Sequence, residues 1–546
     1  MSFFTKIKEY VKKEWLFYFT GFFSGMSVMA IELGAQRLLS PYFSSSQIIW
    51  TIVIGVIMIA MAIGNIIGGK MADKYQKPDK LFIMLFIAAT WIILIPLVGK
   101  FIIAGIAIGL ATFITHGYLI WASLISCLVV FVFPLLVLGM VTPNIVKFAT
   151  KNLESNGNVI GKIEAFNTIG SIIGTFIPTF LTIPFIGTAA TFVIFSIILY
   201  TICMVYLSLR KKYVIRTAIV SVLAIALGIG STQIKVAFWN NNIMYEGESQ
   251  YNYLRVEDTG NEIIFSTNVL FGVQSVKMKQ KGLTGYYYDY AMASAVMADV
   301  YDKKIDVLIL GLGTGTYAYQ CIDYFGEENL NIDGVEIDGK IVKLAKKYFD
   351  LPESVNVYVE DGRAYLNNTK KKYDLIMVDA YRDISVPFQM SSKEFFTEVK
   401  EHLNENGNMV LNMNMFDNSD GSINDYLKST VKSVFNNVYT CEADTNQELF
   451  ASDIDLKEKL HENINKIDKF DLKQLMQIVE NDLVTVEGSK RILTDDKAPV
   501  ERLGMKVLDK MISEELLYLR EQMKGKSLPE IIELLWWYLF YLKNEL

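Results

Sequence analysis

This chain of 546 residues contains few histidines and cysteines, and it has no excess of positive charge. Its four cysteines (Cys127, Cys203, Cys321 and Cys441) form no C-x-x-C pair, so the spacing excludes a disulfide framework and a zinc site. With three histidines in all, a histidine-based catalytic triad or metal cluster is not expected either. The net charge is −6 and no basic stripe is present, so we expect no nucleic-acid partner. These absences together predict a functional site without a metal ion.

Charged side chains are also missing from three long stretches of the first half, residues 38–69, 101–146 and 165–209. Uncharged apolar runs of this length are typical of transmembrane helices. Charges return at ordinary density after about residue 235, which indicates a soluble part. We therefore predict a membrane domain of seven or eight transmembrane helices over residues 1–235, in a multi-pass protein whose partners include the lipid bilayer. The count stays open because residues 101–146 could hold two helices, or one helix and a re-entrant segment.

Four apolar runs between Val307 and Asp379 each end in glycine or in an acidic residue. The runs end, in chain order, at Gly311-Leu312-Gly313-Thr314-Gly315, at Glu336, at Asp361-Gly362 and at Asp379. Such runs predict buried parallel strands, and open parallel sheets bind ligands at the carboxyl ends of their strands. We therefore predict an α/β Rossmann-like domain of the methyltransferase type over residues 301–525, with a nucleoside as its ligand.

The residue types at these strand ends favour one class of nucleoside. Glycine in the loop at 311–315 lets the backbone approach a ligand closely, because no Cβ intervenes. Glu336, about 20 residues beyond the loop, can accept hydrogen bonds from both ribose hydroxyls. Asp361, followed by Gly362, can accept a hydrogen bond from an adenine amino group. A dinucleotide enzyme does not need this second acid, so the two acids together favour an adenosyl sulfonium compound.

Asp379, at the end of the fourth run, is the predicted catalytic residue. A carboxylate at this position can orient an amine and take its proton while the amine attacks the carbon next to a sulfonium sulfur. The sulfur is already a good leaving group, so this reaction needs no metal ion.

Two flanking regions carry weaker signals. Residues 236–300 contain alternating apolar runs around Thr259-Gly260-Asn261, which predict a small antiparallel β-hairpin region and a lead-in helix. The helix opens with four tyrosines in five positions, and these are either interfacial aromatics or a wall of the substrate site. Residues 526–546 are predicted to form an amphipathic aromatic tail helix, which is too short to span a bilayer. It either lies at the membrane interface or docks onto the membrane helices.

Residues from about 249 to 411 resemble the spermidine synthase (polyamine aminopropyltransferase) family. The matching pieces are Ser249-x-Tyr251, Gln274-Ser275, the Gly311 loop, Val335-Glu336-Ile337-Asp338, Asp361-Gly362-Arg363, Tyr373-Asp374-Leu375-Ile376 and Val378-Asp379. The first half is similar to the multi-span membrane branch of that family. The pieces similar to that branch include Glu32-Leu33, Arg37-Leu38-x-x-Pro41, Gly68-Gly69, Asn167-Thr168-x-Gly170-Ser171 and, later in the chain, Leu493-Thr494-Asp495-Asp496.

The resemblance implies an enzyme that transfers an aminopropyl group from a co-substrate, decarboxylated S-adenosylmethionine, to a small-molecule amine. It implies Asp379 as the proton acceptor. The residues implied for the donor are Gly311, Gly313, Gly315, Glu336, Asp361, Gly362, Asn252 and Pro387. The residues implied for the amine are Gln274, Tyr288, Asp289, Thr314 and Asp383. The family also oligomerises through its soluble part, which implies a homo-oligomer.

The chain departs from the family pattern on the amine side. The family's loop is G-G-G-D-G, whose acid holds the ammonium group of the acceptor, and Thr314 stands at that position here. In an ungapped alignment Arg382 replaces a second family acid, whereas one inserted residue restores the mutual spacing of Asp383 and Pro387. The sequence therefore does not identify the amine.

Two other functions stay open. The predicted sheet and its acids also permit methyl transfer from S-adenosylmethionine itself. Thr314 and Arg382, together with Glu32 in the first predicted span, permit a transporter or sensor that binds a nucleoside or polyamine without turnover. For the enzyme, we expect the catalytic domain of this cell-membrane protein on the cytoplasmic side, where such a donor is made.

Overall fold

The computed structural model describes residues 15–150, 156–269, 272–381, 386–414 and 417–527, together with residues 530, 531 and 534. The chain divides into two compact units. The helical unit comprises Met1–Trp239 and Gly247–Tyr253, and the α/β unit comprises Asn240–Glu246 and Leu254–Leu546. Most of the predicted aromatic tail helix lies outside the described residues. The predicted boundaries at 235, 300 and 525 stay predictions.

The described part of the helical unit consists of α-helices joined by short turns. Their bounds are α1 (Trp15–Phe43), α2 (Gln47–Lys74), α3 (Asp79–Leu94), α4 (Lys100–Ala111), α5 (Tyr118–Gly139), α6 (Val141–Ala149), α7 (Asn156–Ile177), α8 (Ile183–Leu209) and α9 (Val214–Ser231). Two π-helical turns, Ile95–Gly99 and Pro178–Thr182, connect α3 to α4 and α7 to α8. Each turn carries a proline at its start, and proline cannot donate the backbone hydrogen bond of a regular helix.

Six helical stretches among the described residues are long and apolar enough to cross a membrane, judged by length and composition. One of them, Asn156–Leu209, has 54 residues and combines α7 with α8. A straight helix of that length would measure about 80 Å, well over twice the hydrocarbon thickness of a bilayer. The stretch is interrupted at Gly187, whose φ of 85° and ψ of 165° are not helical. It therefore has the length for two crossings, and the total of seven or eight stays a prediction.

Small residues let neighbouring helices of this unit pack backbone against backbone. A Cβ added at Gly170 of α7 would lie 1.9 Å from the Phe22 carbonyl oxygen of α1. A Cβ added at Gly174 would lie 2.1 Å from the Met26 carbonyl oxygen of the same helix. Between α2 and α5, a Cβ at Gly64 would lie 2.2 Å from a backbone oxygen. Such close approach is the usual packing of apolar helices that cross membranes.

The α/β unit begins with a small antiparallel sheet whose strand order is β1-β2-β3-β4. The bounds are β1 (Ile243–Glu248), β2 (Tyr253–Asp258), β3 (Glu262–Ser266) and β4 (Ser275–Met278). β2 and β3 form the predicted hairpin, and Gly260 in its turn has a φ of 101°, a backbone conformation that favours glycine. The predicted antiparallel region is therefore confirmed.

The second sheet has eight strands in the order β12-β10-β11-β9-β8-β5-β6-β7. Its strands are β5 (Ile305–Leu310), β6 (Leu330–Val335), β7 (Asn356–Tyr358), β8 (Tyr373–Val378), β9 (Leu403–Met413), β10 (Asn437–Ala443), β11 (Asn446–Ser452) and β12 (Val484–Thr485). Strands β5 to β9 pair in parallel, whereas β10, β11 and β12 join antiparallel. The predicted fold class, a helical region followed by a Rossmann-like α/β domain, is confirmed.

The helices of the α/β unit connect and cover these strands. They are α10 (Tyr287–Ala291), α11 (Ala293–Met297), α12 (Thr316–Phe325), α13 (Gly339–Tyr348), α14 (Gly362–Asn368), α15 (Lys393–Glu401), α16 (Ile423–Lys432), α17 (Leu456–Ile464), α18 (Phe470–Asp482) and α19 (Val500–Met523). Strand β8 is buried along its whole length and β5 along most of it, as their continuous apolar runs predict.

The strand order changes direction between β5 and β8, which are neighbours in the sheet. The chain proceeds from β5 to β6 on one side, and from β8 to β9 on the other. The loops after β5 and β8 therefore separate at this point and open a crevice at the carboxyl edge of the sheet, where α/β sheets bind ligands. Gly311 and Asp379 are the first residues of these two loops.

Candidate active site

The loop after β5 has an unusual backbone at all three of its glycines. Their φ angles are 91° at Gly311, 55° at Gly313 and 89° at Gly315, in a region that L-residues with side chains rarely adopt. A Cβ at Gly311 would lie 2.4 Å from the Asp379 carbonyl oxygen, and one at Gly313 would lie 2.8 Å from Ser275 Oγ. Glycine is therefore needed for the conformation and for the close approach of the loop to β8.

Glu336, at the end of β6, is held by the backbone. The amide of Gly313 donates to Glu336 Oε2 over 2.9 Å, and the amide of Asp338 donates to Oε1 over 3.0 Å. A carboxylate offers about four acceptor positions, so the oxygens can still accept from a ribose diol. Burial raises the pKa of Glu336 to about 7, although the backbone hydrogen bonds oppose that shift.

Asp361 follows β7 and caps α14. Its Oδ1 accepts hydrogen bonds from the amides of Arg363 and Ala364, each over 3.0 Å. Gly362 lies next to the end of β5, since a Cβ there would be 3.7 Å from Leu310 Cβ. The backbone thus fixes the second predicted acid at the same edge of the sheet.

Asp379 is held by two side chains instead. The Tyr287 hydroxyl donates to Asp379 Oδ2 over 2.7 Å, and Asn412 Nδ2 donates to Oδ1 over 2.8 Å. Burial raises the pKa of Asp379 to about 7, against the lowering effect of these two hydrogen bonds. A carboxyl group with a pKa near neutrality is well matched to general base catalysis at physiological pH.

Sequence reasoning did not assign roles to Tyr287 and Asn412. Tyr287 was one of four tyrosines interpreted either as interfacial aromatics or as a wall of the substrate site, and its contact with Asp379 spans 92 positions of sequence. Asn412 carried a usable signal, because it follows the apolar residues Met409-Val410-Leu411 near the end of a strand at the same sheet edge. The acids were selected because they follow apolar runs at strand ends, and the same criterion would also have selected Asn412.

Two residues predicted to bind the amine hold their own segment together. The Tyr288 hydroxyl donates to the Gln274 carbonyl oxygen over 2.8 Å. Asp289 accepts from Thr284 Oγ1 over 3.0 Å and from the Gly285 amide over 2.7 Å. These contacts give both side chains a structural role, and their contact with an amine stays a prediction.

Thr314 stands where the family has an acid, and its side chain is buried in the glycine loop. Its amide donates to Ser275 Oγ over 3.2 Å. Its hydroxyl oxygen has no hydrogen-bond partner within the part of the chain that the structure describes. The backbone amide of Gln274, which precedes Ser275 in the chain, donates to the Phe265 carbonyl oxygen over 2.8 Å.

The remaining predicted site residues are Asp383, Pro387 and Asn252. Asp383, like Arg382, is outside the described residues. Pro387 precedes a short helical turn, and its carbonyl oxygen accepts from the Met390 amide over 2.9 Å. Asn252 belongs to segment 247–253 of the helical unit, where its amide donates to Ser249 Oγ over 2.9 Å. Their roles in donor and amine binding stay predictions.

The edge of the sheet therefore brings together the glycine loop, Glu336, Asp361 with Gly362, and Asp379. Across the described ranges, no group of three or more His, Cys, Asp or Glu residues is arranged to hold a metal ion. Glu336 and Asp361 present hydrogen-bond acceptors suited to a nucleoside. Asp379 presents a base whose carboxyl group accepts a hydrogen bond from Tyr287.

Comparison with known proteins gives a consistent match. The model of the spermine/spermidine synthase domain matches residues 287–445. A probable polyamine aminopropyl transferase of Bifidobacterium longum is 46% identical over 345 residues, which cover 59% of this chain and 75% of that protein. A polyamine aminopropyltransferase of Vibrio vulnificus is 30% identical over 158 residues, which cover 28% of this chain and 51% of that protein. A crystal structure of a probable spermidine synthase from Corynebacterium glutamicum covers 45% of this chain and 98% of its own, at 19% identity and a TM-score of 0.35.

Proposed function

The chain belongs to the spermidine synthase (polyamine aminopropyltransferase) family and is a transferase, and from this premise we propose that it alkylates an amine with the aminopropyl group of decarboxylated S-adenosylmethionine. The single observation that carries the proposal is the Asp379 carboxyl group. It lies at the crevice between β5 and β8, beside the glycine loop, and its pKa is raised to about 7.

The donor side of the site supports an adenosyl ligand. Glu336, oriented by the amides of Gly313 and Asp338, is suited to accept from the two ribose hydroxyls. Asp361, fixed by its cap on α14, is suited to accept from the adenine amino group. The loop at 311–315 has no Cβ at three positions, so a ligand can approach its backbone.

The donor supplies a sulfonium centre, whose thioether is a good leaving group. Asp379 then orients the attacking amine and accepts its proton as the new carbon–nitrogen bond forms and the carbon–sulfur bond breaks. The electron pair of the broken bond stays on sulfur, and methylthioadenosine leaves as a neutral thioether. Tyr287 and Asn412 keep the carboxylate in the orientation that this proton transfer needs.

The helical unit supports a membrane location. The described residues include six stretches that are long and apolar enough to cross a bilayer, and these favour a multi-pass protein of the cell membrane. We place the catalytic domain on the cytoplasmic side, because the donor is made there, and we expect a homo-oligomer as in the rest of the family. Protease protection in sealed vesicles tests the side: cleavage of the α/β unit is expected only from the cytoplasmic face.

Release of methylthioadenosine by the full-length protein in detergent tests the proposed reaction. The protein is supplied with decarboxylated S-adenosylmethionine and, in separate reactions, with mono-, di- and polyamines. We expect methylthioadenosine and an aminopropylated amine in equal amounts with at least one of them. If no amine supports release of methylthioadenosine, the proposal is wrong.

A further inference from the structure

The Glu448 carboxyl group of β11 is buried and lacks a hydrogen-bond partner in the described part of the chain. Its side chain is 0% exposed, and neither of its oxygens has a hydrogen-bond partner among the residues that the structure describes. A buried carboxylate without a partner is costly, because it loses its hydration and gains nothing in exchange. Such a group calls for a specific explanation, and a ligand that arrives with the missing charge is one.

Glu448 lies in the same row of the sheet as the catalytic carboxyl group. It pairs with Asn412 across the antiparallel strands β11 and β9, and paired residues project from the same face. Asn412 in turn donates to Asp379 at the end of β8. The row therefore runs Asp379, Asn412, Glu448 across three neighbouring strands, with the amide between the two acids.

The two acids also interact through their charges. Burial raises the pKa of Glu448 well above its usual value, and the charge of Asp379 raises it further. The other groups that Glu448 influences electrostatically are neutral, namely the Tyr317 and Tyr381 hydroxyls and the Cys441 thiol. Within the described ranges no lysine or arginine forms an ion pair with Glu448. A cationic ligand would therefore be the first positively charged partner of this carboxyl group.

We propose that Glu448 binds a second ammonium group of a di- or polyamine acceptor and so determines the specificity of the enzyme for the amine. The inference rests on the proposed function and deepens it. The reacting nitrogen must be a neutral amine at Asp379, so only a further nitrogen on the same molecule can bring a positive charge to Glu448. Glu448 thereby binds the ammonium group that the loop acid of the family binds, since Thr314 stands at the position of that acid here.

The spacing of the two acids suits a ligand that contacts both of them. Backbones of adjacent strands are about 4.8 Å apart, and β8 and β11 are separated by one strand, β9. The two carboxylates project from backbones on the order of 10 Å apart, and an aliphatic amine with a charged far end can contact both.

Glu448→Gln, which keeps the shape and removes the charge, tests the inference in the full-length protein. With putrescine as acceptor we expect the acceptor KM to rise about tenfold or more, because charge-assisted hydrogen bonds are the strong ones. The donor KM and kcat at saturating amine are expected to change little. The matched control is Glu442→Gln on the neighbouring strand β10, whose side chain is exposed and which should behave as the unsubstituted protein. An acceptor KM in Glu448→Gln equal to that of the control would overturn the inference.

A comparison of substrates tests the same contact without any substitution. Putrescine is compared with the amino alcohol of the same chain length, in which a hydroxyl replaces the far ammonium group. We expect the unsubstituted protein to prefer the diamine in kcat/KM by about tenfold or more, and Glu448→Gln to lose most of that preference. Equal kcat/KM for the two compounds would overturn the inference even if Glu448→Gln failed to fold. Absence of methylthioadenosine with every amine would instead contradict the proposed function, and the inference with it.

Discussion

The proposed donor side and the proposed acceptor side of this site are held in different ways. Glu336 and Asp361, on the donor side, accept hydrogen bonds from backbone amides of their own or the adjacent loop. Asp379, on the acceptor side, is held by the side chains of Tyr287 and Asn412, which come from distant segments. Glu448 has no hydrogen-bond partner among the described residues.

This difference indicates how such a site can change its substrate. Backbone donors are fixed by the course of the chain, so the donor side persists as long as the fold persists. Side-chain donors and unpartnered acids change by single substitutions that leave the sheet intact. We therefore expect the adenosyl side to be the constant part of the site, and the amine side to be the part that sets specificity.

The largest effect is expected for Asp379→Asn. Loss of the base should reduce kcat by about two to four orders of magnitude, the usual contribution of general base catalysis. The donor Kd should stay within a few-fold of its original value, because Glu336 and Asp361 are untouched. Methylthioadenosine release and donor titration measure the two quantities separately. A variant that loses donor binding as well would break the division into two sides.

Glu336→Gln should have the opposite pattern. Hydrogen bonds to a charged group contribute about 1.5–3 kcal/mol, so the donor Kd should rise by about one to two orders of magnitude. The acceptor KM at saturating donor should not change. Isothermal titration with the donor measures the effect, and Glu353→Gln, an exposed residue in the loop before β7, is the control. A large rise in the acceptor KM would contradict the assignment of Glu336 to the donor.

Tyr287→Phe should change the pH dependence more than the maximal rate. Asp379 acts as a base only when it is deprotonated, so activity falls as the pH drops through its pKa of about 7. The Tyr287 hydrogen bond lowers that pKa, and its removal should therefore move the acidic limb of kcat/KM to higher pH. A pH profile measures the shift. Tyr439→Phe, which removes a tyrosine–carboxylate hydrogen bond of 2.8 Å to Asp455, is the matched control and should leave the limb in place.

The smallest effect is expected in stability. The folded-state pKa of Asp379 is raised above its unfolded value, so the unfolded state ionises first and stability is lost as the pH rises from about 4 to about 7. Asp379→Asn removes this loss and should raise the melting temperature by a few degrees at pH 8 and by less at pH 5. Thermal unfolding in detergent at the two pH values measures it. A lower melting temperature at pH 8 would show that the carboxylate stabilises the fold.

The parts of the site that could be predicted from sequence are those that depend on strand ends. Parallel strands bring their carboxyl ends to one edge, so apolar runs followed by glycine or an acid were sufficient to locate Glu336, Asp361 and Asp379. The hairpin around Gly260 followed in the same way from alternation and a turn residue.

The parts that could not be predicted depend on contacts between distant segments. Asn412 and Glu448 come together through the antiparallel pairing of β9 with β11, which no local pattern specifies. Asp289 has the residue type of an amine ligand, yet it accepts hydrogen bonds from its own loop. The number of crossings was also open from sequence, because no charged residue divides the stretch 101–146.

A competition between the two possible donors tests the central claim most directly. The full-length protein receives equal amounts of decarboxylated S-adenosylmethionine and S-adenosylmethionine with excess putrescine, and mass spectrometry identifies the products. Aminopropyl transfer predicts methylthioadenosine and an aminopropylated amine in equal amounts, and a rate of formation of both that falls by about two to four orders of magnitude with Asp379→Asn. A methylated amine with S-adenosylhomocysteine would contradict the account.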